Sequence, residues 1–200
     1  MRVFPVKQKD IFKVLDLTKF QDVTAVILGQ DPYPNNKACG LAFSCAIGSA
    51  KSVKRIIENR NIRIPKKGTS VDLSPWAWRE GILLLNTKLT FCKKDDDGNN
   101  QHADIGWDKI TDEISRQVCK CDKPVVFLLW GGEARKKISI IQEEINKKHI
   151  QQDKAKIILS AYPAWDGKLS TMPLFMTTDS FNDTNSFYGC TICIRIDWSI

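Results

Sequence analysis

The sequence predicts an α/β fold: a central, mostly parallel four-stranded sheet flanked by helices on both faces, in one domain over residues 1–200. Three observations predict it. Four apolar runs read as buried strands, the first continuous, rich in β-branched residues and of the kind buried on both faces. Stretches with helical spacing lie between them, the order expected of a parallel sheet. The 200 residues suit a single core, and no repeat or low-complexity linker divides them.

Taken in order, Asp10 to Val14 reads as a short helix, with apolar Ile11, Phe12 and Val14. Val23 to Leu28 is the first strand and stops at Gly29. Ser49 to Asn59 reads as a helix with Ser52 as its cap and Val53, Ile56 and Ile57 at helical spacing. Asn61 to Asp72 is a basic loop punctuated by Gly and Pro. Ile82 to Thr87 is the second strand, and Asp95 to Asn100 an acidic turn. Trp107 to Cys119 places Trp107, Ile110, Ile114 and Val118 on one helical face. Pro124 to Trp130 is the third strand, halted by Gly131 and Gly132. Glu133 to Ile145 is a helix, and Ala155 to Ser160 the fourth strand.

Composition narrows the function classes. The net charge of +7 favours a polyanionic partner, nucleic acid first, with simple solubility as the other reading. No window holds the roughly 18 uncharged apolar residues of a membrane helix. Lys7, Lys9 and Asp10 interrupt the start too early for a signal peptide. The expected location is intracellular, cytoplasm or nucleus. Seven cysteines form no repeating frame, and the two histidines, His102 and His149, stand at no ligand spacing from a cysteine pair. Free thiols and no metal are expected.

In parallel sheets, ligands sit beyond the carboxyl ends of the strands. That rule selects Gly29 to Tyr33, Asn86 to Thr90, the chain from Gly131, and Ala161 to Trp165. These segments offer a carboxylate (Asp31), an amide that both donates and accepts (Asn86), and Tyr33, with Phe43 nearby in sequence. A carboxylate activates water or supports a developing cation, an Asn reads a pyrimidine edge, and a Phe stacks on a base. Each also has a plain structural reading: an Asp after Gly forms a cap or Asx-turn, and a Phe fills a core.

Several strings carry a resemblance. Gly29-Gln30-Asp31-Pro32-Tyr33, Gly40-Leu41-Ala42-Phe43-Ser44, Gly81 to Thr90, His102 with Gly106-Trp107, Leu128 to Gly131, and Ile196-Asp197-Trp198 occur in this order. Together they resemble the uracil-DNA glycosylase family of the main, uracil-excising type, over most of the chain. The resemblance implies a base-excision enzyme that flips uracil out of DNA and hydrolyses its N-glycosidic bond, without metal or cofactor. It implies that Asp31 orients the water and stabilises an oxocarbenium-like sugar, and that Gln30 contacts the base through its backbone. It further implies that Tyr33 excludes the thymine methyl, Phe43 stacks on uracil and Asn86 pairs with its polar edge.

The chain departs from that family at three places. Tyr162 stands where the family's histidine supports the uracil anion, and a phenol can donate a hydrogen bond in its stead. Pro34 replaces the histidine that usually follows Asp-Pro-Tyr. The loop after Ala164 is unfamiliar, and Leu169 is the first candidate for the family's intercalating leucine. The implied DNA contacts are Ser44, His102, Ala164, Lys168 and Leu169; Lys54 and Arg55 also lie where phosphates are expected. The expected partners are uracil-containing DNA, single- or double-stranded, and either a DNA-mimic inhibitor protein or a replication factor. Tyr162 and the altered loop, with spellings similar to poxvirus-type members, motivate an alternative: a DNA-binding replication accessory with weak or no excision. A nucleobase enzyme acting on small molecules is a third reading.

Overall fold

The computed structural model describes residues 1–62, 66, 68–93, 99–147, 154–165, 172–192 and 194–200. In chain order the elements are β1 (Arg2–Phe4), α1 (Lys13–Leu17), β2 (Ala25–Gly29), α2 (Lys51–Asn59), α3 (Ser74–Glu80), β3 (Ile82–Asn86) and β4 (Phe91–Lys93). Then come α4 (Trp107–Cys119), β5 (Val125–Trp130), α5 (Gly132–Arg135), α6 (Ile138–Lys147), β6 (Ala155–Ser160) and α7 (Ser180–Thr191).

The four apolar runs form one parallel sheet, in the order β3-β2-β5-β6. Every residue of β2, β3 and β5 is buried, so both faces are covered. That burial is why these strands read as unbroken apolar runs rather than alternating ones. Helices α1 and α3 lie against β3, α5 against β5 and α7 against β6. In register, Gly29 stands beside Asn86, and Leu28 beside Leu129. From β2 the chain passes to β3 on one side and returns to β5 on the other. The strand order therefore reverses at the carboxyl end of β2, where a crevice forms.

Beside the sheet, an aromatic cluster ties the C-terminus down. Trp130 meets Phe175 edge to face at 4.9 Å, and Phe181 meets Trp198 at 4.9 Å. Trp76 lies 5.2 Å from Trp198, and its indole N–H donates to the Trp198 carbonyl at 3.0 Å. Ile196-Asp197-Trp198 is thus a core anchor on the molecule's last turn of chain, with Trp198 fully buried.

Local expectations needed correction where long-range packing decided. The expected helix at Asp10–Val14 is a 3-10 turn at Gln8–Asp10 followed by α1. Ser52 is no cap: Ala50 holds that position, and Ser52 is buried within α2. The expected helix Glu133–Ile145 is two helices, α5 and α6. The antiparallel pair β1–β4, helix α3 and helix α7 were not foreseen. Most of the expected acidic turn, residues 95–98, lies outside the described residues. Among the described residues no helix is long and apolar enough to cross a membrane.

Candidate active site

Three strand ends converge. β2 runs out into Gln30, Asp31 and Tyr33; β3 ends on Asn86; β6 leads to Tyr162. Two ties hold the first pair of loops together: Thr87 N–H donates to the Gly29 carbonyl, and Lys88 N–H to the Gln30 carbonyl, both at 2.9 Å. The Thr87 hydroxyl also donates to Gln30 O at 2.8 Å. A cavity of about 150 Å³ lies between them. Its walls include Gln30, Asp31, Tyr33, Phe43, Asn86 and Tyr162. All six residues expected to carry catalysis and uracil binding thus line one pocket.

Backbone geometry makes room for the pocket. The Asn86 side chain lies over Gly29, where an added Cβ would come within 2.3 Å of Asn86 Oδ1. Gly131, in the left-handed region at φ +96°, lets β5 turn away beneath Tyr162; a Cβ there would meet Tyr162 Cβ at 3.0 Å. Phe43 itself adopts φ +63°, a sparsely populated conformation for a bulky residue. This strained residue presents its ring to the pocket, 6.0 Å from Tyr162 and 5.6 Å from Trp130. It is therefore both core and cavity wall, at 7% exposure.

A hydroxyl network fixes the aromatic wall. Tyr33 Oη donates to the Phe43 carbonyl at 3.1 Å and lies 2.8 Å from Ser52 Oγ. Burial pushes the Tyr33 phenol well above its ordinary pKa. Burial also raises Tyr162, tempered by a hydrogen bond with Ser52 and raised further by the Asp31 charge. Tyr162 therefore remains a neutral O–H donor at neutral pH.

Asp31 occupies the opposite side. Burial holds its carboxyl above the ordinary aspartate value; hydrogen bonds from Asn100 and Gln30 and the Lys88 charge oppose that shift, and Glu133 adds to it. Lys88 is itself held by Asp108 at 2.6 Å, and Asp108 by Lys137 at 2.7 Å. The arrangement suits a carboxylate whose pKa burial raises above its ordinary value and which borders the pocket.

Two residues escaped the sequence reading. Ser52 appeared to be a cap, and Asn100 part of an acidic turn, yet both touch the site. Their contacts span 19 and 69 residues, and no local pattern announces them.

The expected DNA contacts divide. Ser44 is a correction: it is fully buried, donates to Asp72 Oδ1 at 3.2 Å and accepts from Leu73 N–H at 2.9 Å, so it holds the interior rather than facing a phosphate. His102 is half-buried, its Nδ1 3.0 Å from the Thr90 hydroxyl. Ala164 is half-buried in the tight turn closed by Trp165 N–H on the Tyr162 carbonyl at 2.9 Å. Lys168 and Leu169 lie outside the described residues. Among the described residues no group of three or more metal-ligating side chains comes together.

Fold and site together define a class: a parallel-sheet α/β protein whose strand ends enclose a narrow aromatic slot, with a carboxylate and a carboxamide facing into it. Comparisons with known proteins identify which members of that class it resembles. The family model described as the uracil DNA glycosylase superfamily matches residues 16–182. A uracil-DNA glycosylase of Streptococcus uberis is 36% identical, covering 98% of this chain and 84% of that protein. Uracil-DNA glycosylase 2 of Listeria innocua is 37% identical, covering 100% and 83%. The crystal structure of mimivirus uracil-DNA glycosylase shares the fold, with a TM-score of 0.78 and 22% identity over 100% of this chain and 75% of that one. The chain belongs to the uracil DNA glycosylase superfamily.

Proposed function

We propose that this protein hydrolyses the N-glycosidic bond between uracil and deoxyribose in DNA, leaving an abasic site. One observation carries the reading: Asp31 and Asn86, delivered by neighbouring parallel strands, line the same slot as the Phe43 ring. A base inside a duplex cannot reach such a slot, so it is flipped out, at an unstacking cost of a few kcal/mol, or taken from single-stranded DNA.

In the proposed reaction the flipped uracil stacks on Phe43, and Asn86 reads its polar edge. Tyr33, braced by Ser52 and the Phe43 carbonyl, closes the slot where a thymine methyl would project. As the bond from C1′ to N1 breaks, its electron pair stays on the base. Tyr162 Oη donates a hydrogen bond to the anionic oxygen that results. Asp31, ionised, stabilises the positive sugar and orients water toward C1′; it accepts the water's proton as the new C–O bond forms. Lys168 and Leu169 belong to the proposal as a phosphate contact and an intercalating side chain. A protein inhibitor is a further proposed partner, because two structures with the same fold are of mimivirus UNG in complex with UGI. A non-catalytic DNA scaffold would have no use for this assembled slot.

The test is excision from a uracil-containing oligonucleotide, read as strand scission after alkali, with Asp31→Asn and Asn86→Ala beside the wild type. Scission by the wild type, strongly reduced in both variants, is expected. No scission at high enzyme sinks the enzymatic reading; scission unchanged in Asp31→Asn sinks the site assignment.

A further inference from the structure

Asn100 makes four hydrogen bonds, the full capacity of a carboxamide of this kind. Its Oδ1 accepts from Cys92 N–H and from His102 N–H, both at 2.9 Å. Its Nδ2 donates to the Thr90 carbonyl at 3.0 Å and to Asp31 Oδ2 at 3.4 Å. Flipping the amide would set Nδ2 against two N–H donors and Oδ1 against a carbonyl and a carboxylate, so only one orientation is allowed. Three of the four partners are backbone groups on the chain around β4. They make the amide a rigid mount, and its one free-ended bond points at Asp31.

The placement matters because Asp31 borders two spaces. On one side is the base slot; on the other is an open groove lined by Lys88, Asn100, Asp108, Glu133 and Lys136. Asn100 reaches the carboxylate from the groove side. It engages Oδ2, while Gln30 supplies the carboxylate's other side-chain hydrogen bond.

We infer that Asn100 is a positioning residue for Asp31, fixing the carboxylate's rotamer and favouring its ionised form. The inference rests on the proposed uracil excision for its kinetic consequence, but not for its structural one. A hydrogen bond of this length in the free protein is consistent with tightening once a cation develops at the sugar.

The groups facing Asp31 set the sign of the pH effect. Lys88 from the loop after β3 favours the anion; Glu133 of α5 opposes it; Tyr162 after β6 stays neutral. Asn100 is the strongest of the opposing hydrogen bonds. Asn100→Asp retains acceptors for Cys92 and His102 N–H, loses the donor to the Thr90 carbonyl, and places a second carboxylate against Asp31. Like charges at such distance push one of the pair toward protonation, and the two titrate as a unit.

Two measurements test this. In single-turnover excision, Asn100→Asp should lose on the order of tenfold or more in rate at neutral pH, while DNA Kd changes by less than about threefold. Its acid limb should move up by about one pH unit or more. A folded variant with wild-type rate and an unmoved acid limb overturns the inference. The second readout needs neither substrate nor that variant: the Asn100 side-chain amide resonances of the wild type, followed by NMR through acid pH. They should titrate with Asp31, above the ordinary aspartate midpoint, and lose that titration in Asp31→Asn. Flat resonances in the wild type overturn the inference even if excision is robust; a clear titration upholds it even if excision fails.

Discussion

Asn86 Oδ1 lies directly over Gly29, so close that an alanine Cβ there would be 2.3 Å away. The two residues are register partners at the ends of neighbouring parallel strands. The glycine is what leaves room for the Asn86 amide across the strand end. Gly29→Ala should therefore displace Asn86, with Ala42 Cβ, 3.0 Å from the new methyl, blocking retreat on that side. Overpacking of this kind costs about 1–3 kcal/mol. Excision should fall well beyond what the loss of stability explains. Thermal melting and single-turnover rates on the same sample check it, and an unchanged rate would show that Asn86 does not read the base.

Asp31→Asn should separate stability from activity. Burial raises the Asp31 pKa above its unfolded value, so the folded state binds more protons between the two values. By linkage, the wild type loses stability as pH rises from the unfolded value through the raised folded one. Below that window the variant and wild type should melt alike; at neutral pH the variant should be the more stable. Its rate should fall by about 10²- to 10⁴-fold, as expected for a lost proton acceptor. In the proposed reaction the ionised form works, so wild-type activity should rise across the same pH window. Melting curves from pH 3 to 8 would contradict this if the variant were less stable at neutral pH.

Tyr162→Phe removes one hydroxyl and keeps the ring that faces Phe43. If the phenol supports the leaving uracil anion, the barrier rises by about 2.7–4 kcal/mol, roughly a hundred- to a thousandfold in rate. Affinity for an abasic-site oligonucleotide should barely change. A rate equal to wild type would reject the phenol as the donor that stands in place of an imidazole.

Tyr188→Phe serves as a control remote from the slot. The buried Tyr188 hydroxyl donates to the Thr24 carbonyl and, at 3.0 Å, to the Pro124 carbonyl. It thereby ties α7 to the starts of β2 and β5. Losing it strips the Pro124 carbonyl of this donor, while the Thr24 carbonyl keeps Val126 N–H, at a cost of about 1–3 kcal/mol. For a chain of this size each kcal/mol lowers Tm by about 2–4 °C. Excision at a temperature where the variant is folded should match wild type.

What the sequence alone determined was the part written in local pattern. The three inner strands were legible because burial on both faces demands unbroken apolar runs; the edge strand β6, half-buried and carrying Lys156, was legible from its shorter apolar run, and Ala155 to Ser160 or Trp107 to Cys119 match the structure residue for residue. The placement of Asp31 and Asn86 in the pocket was legible because strand ends are where such sheets place ligands, and that of Phe43 because its string resembles a known family. Tertiary structure decided the rest. Ser52 turned from cap to brace, Ser44 from DNA contact to interior bond, and Asn100 from turn residue to partner of Asp31. The physical reason is common to all three. A polar side chain's partner is chosen by which groups are left unpaired where the chain folds back, and that choice is made across tens of residues, beyond the reach of any periodicity.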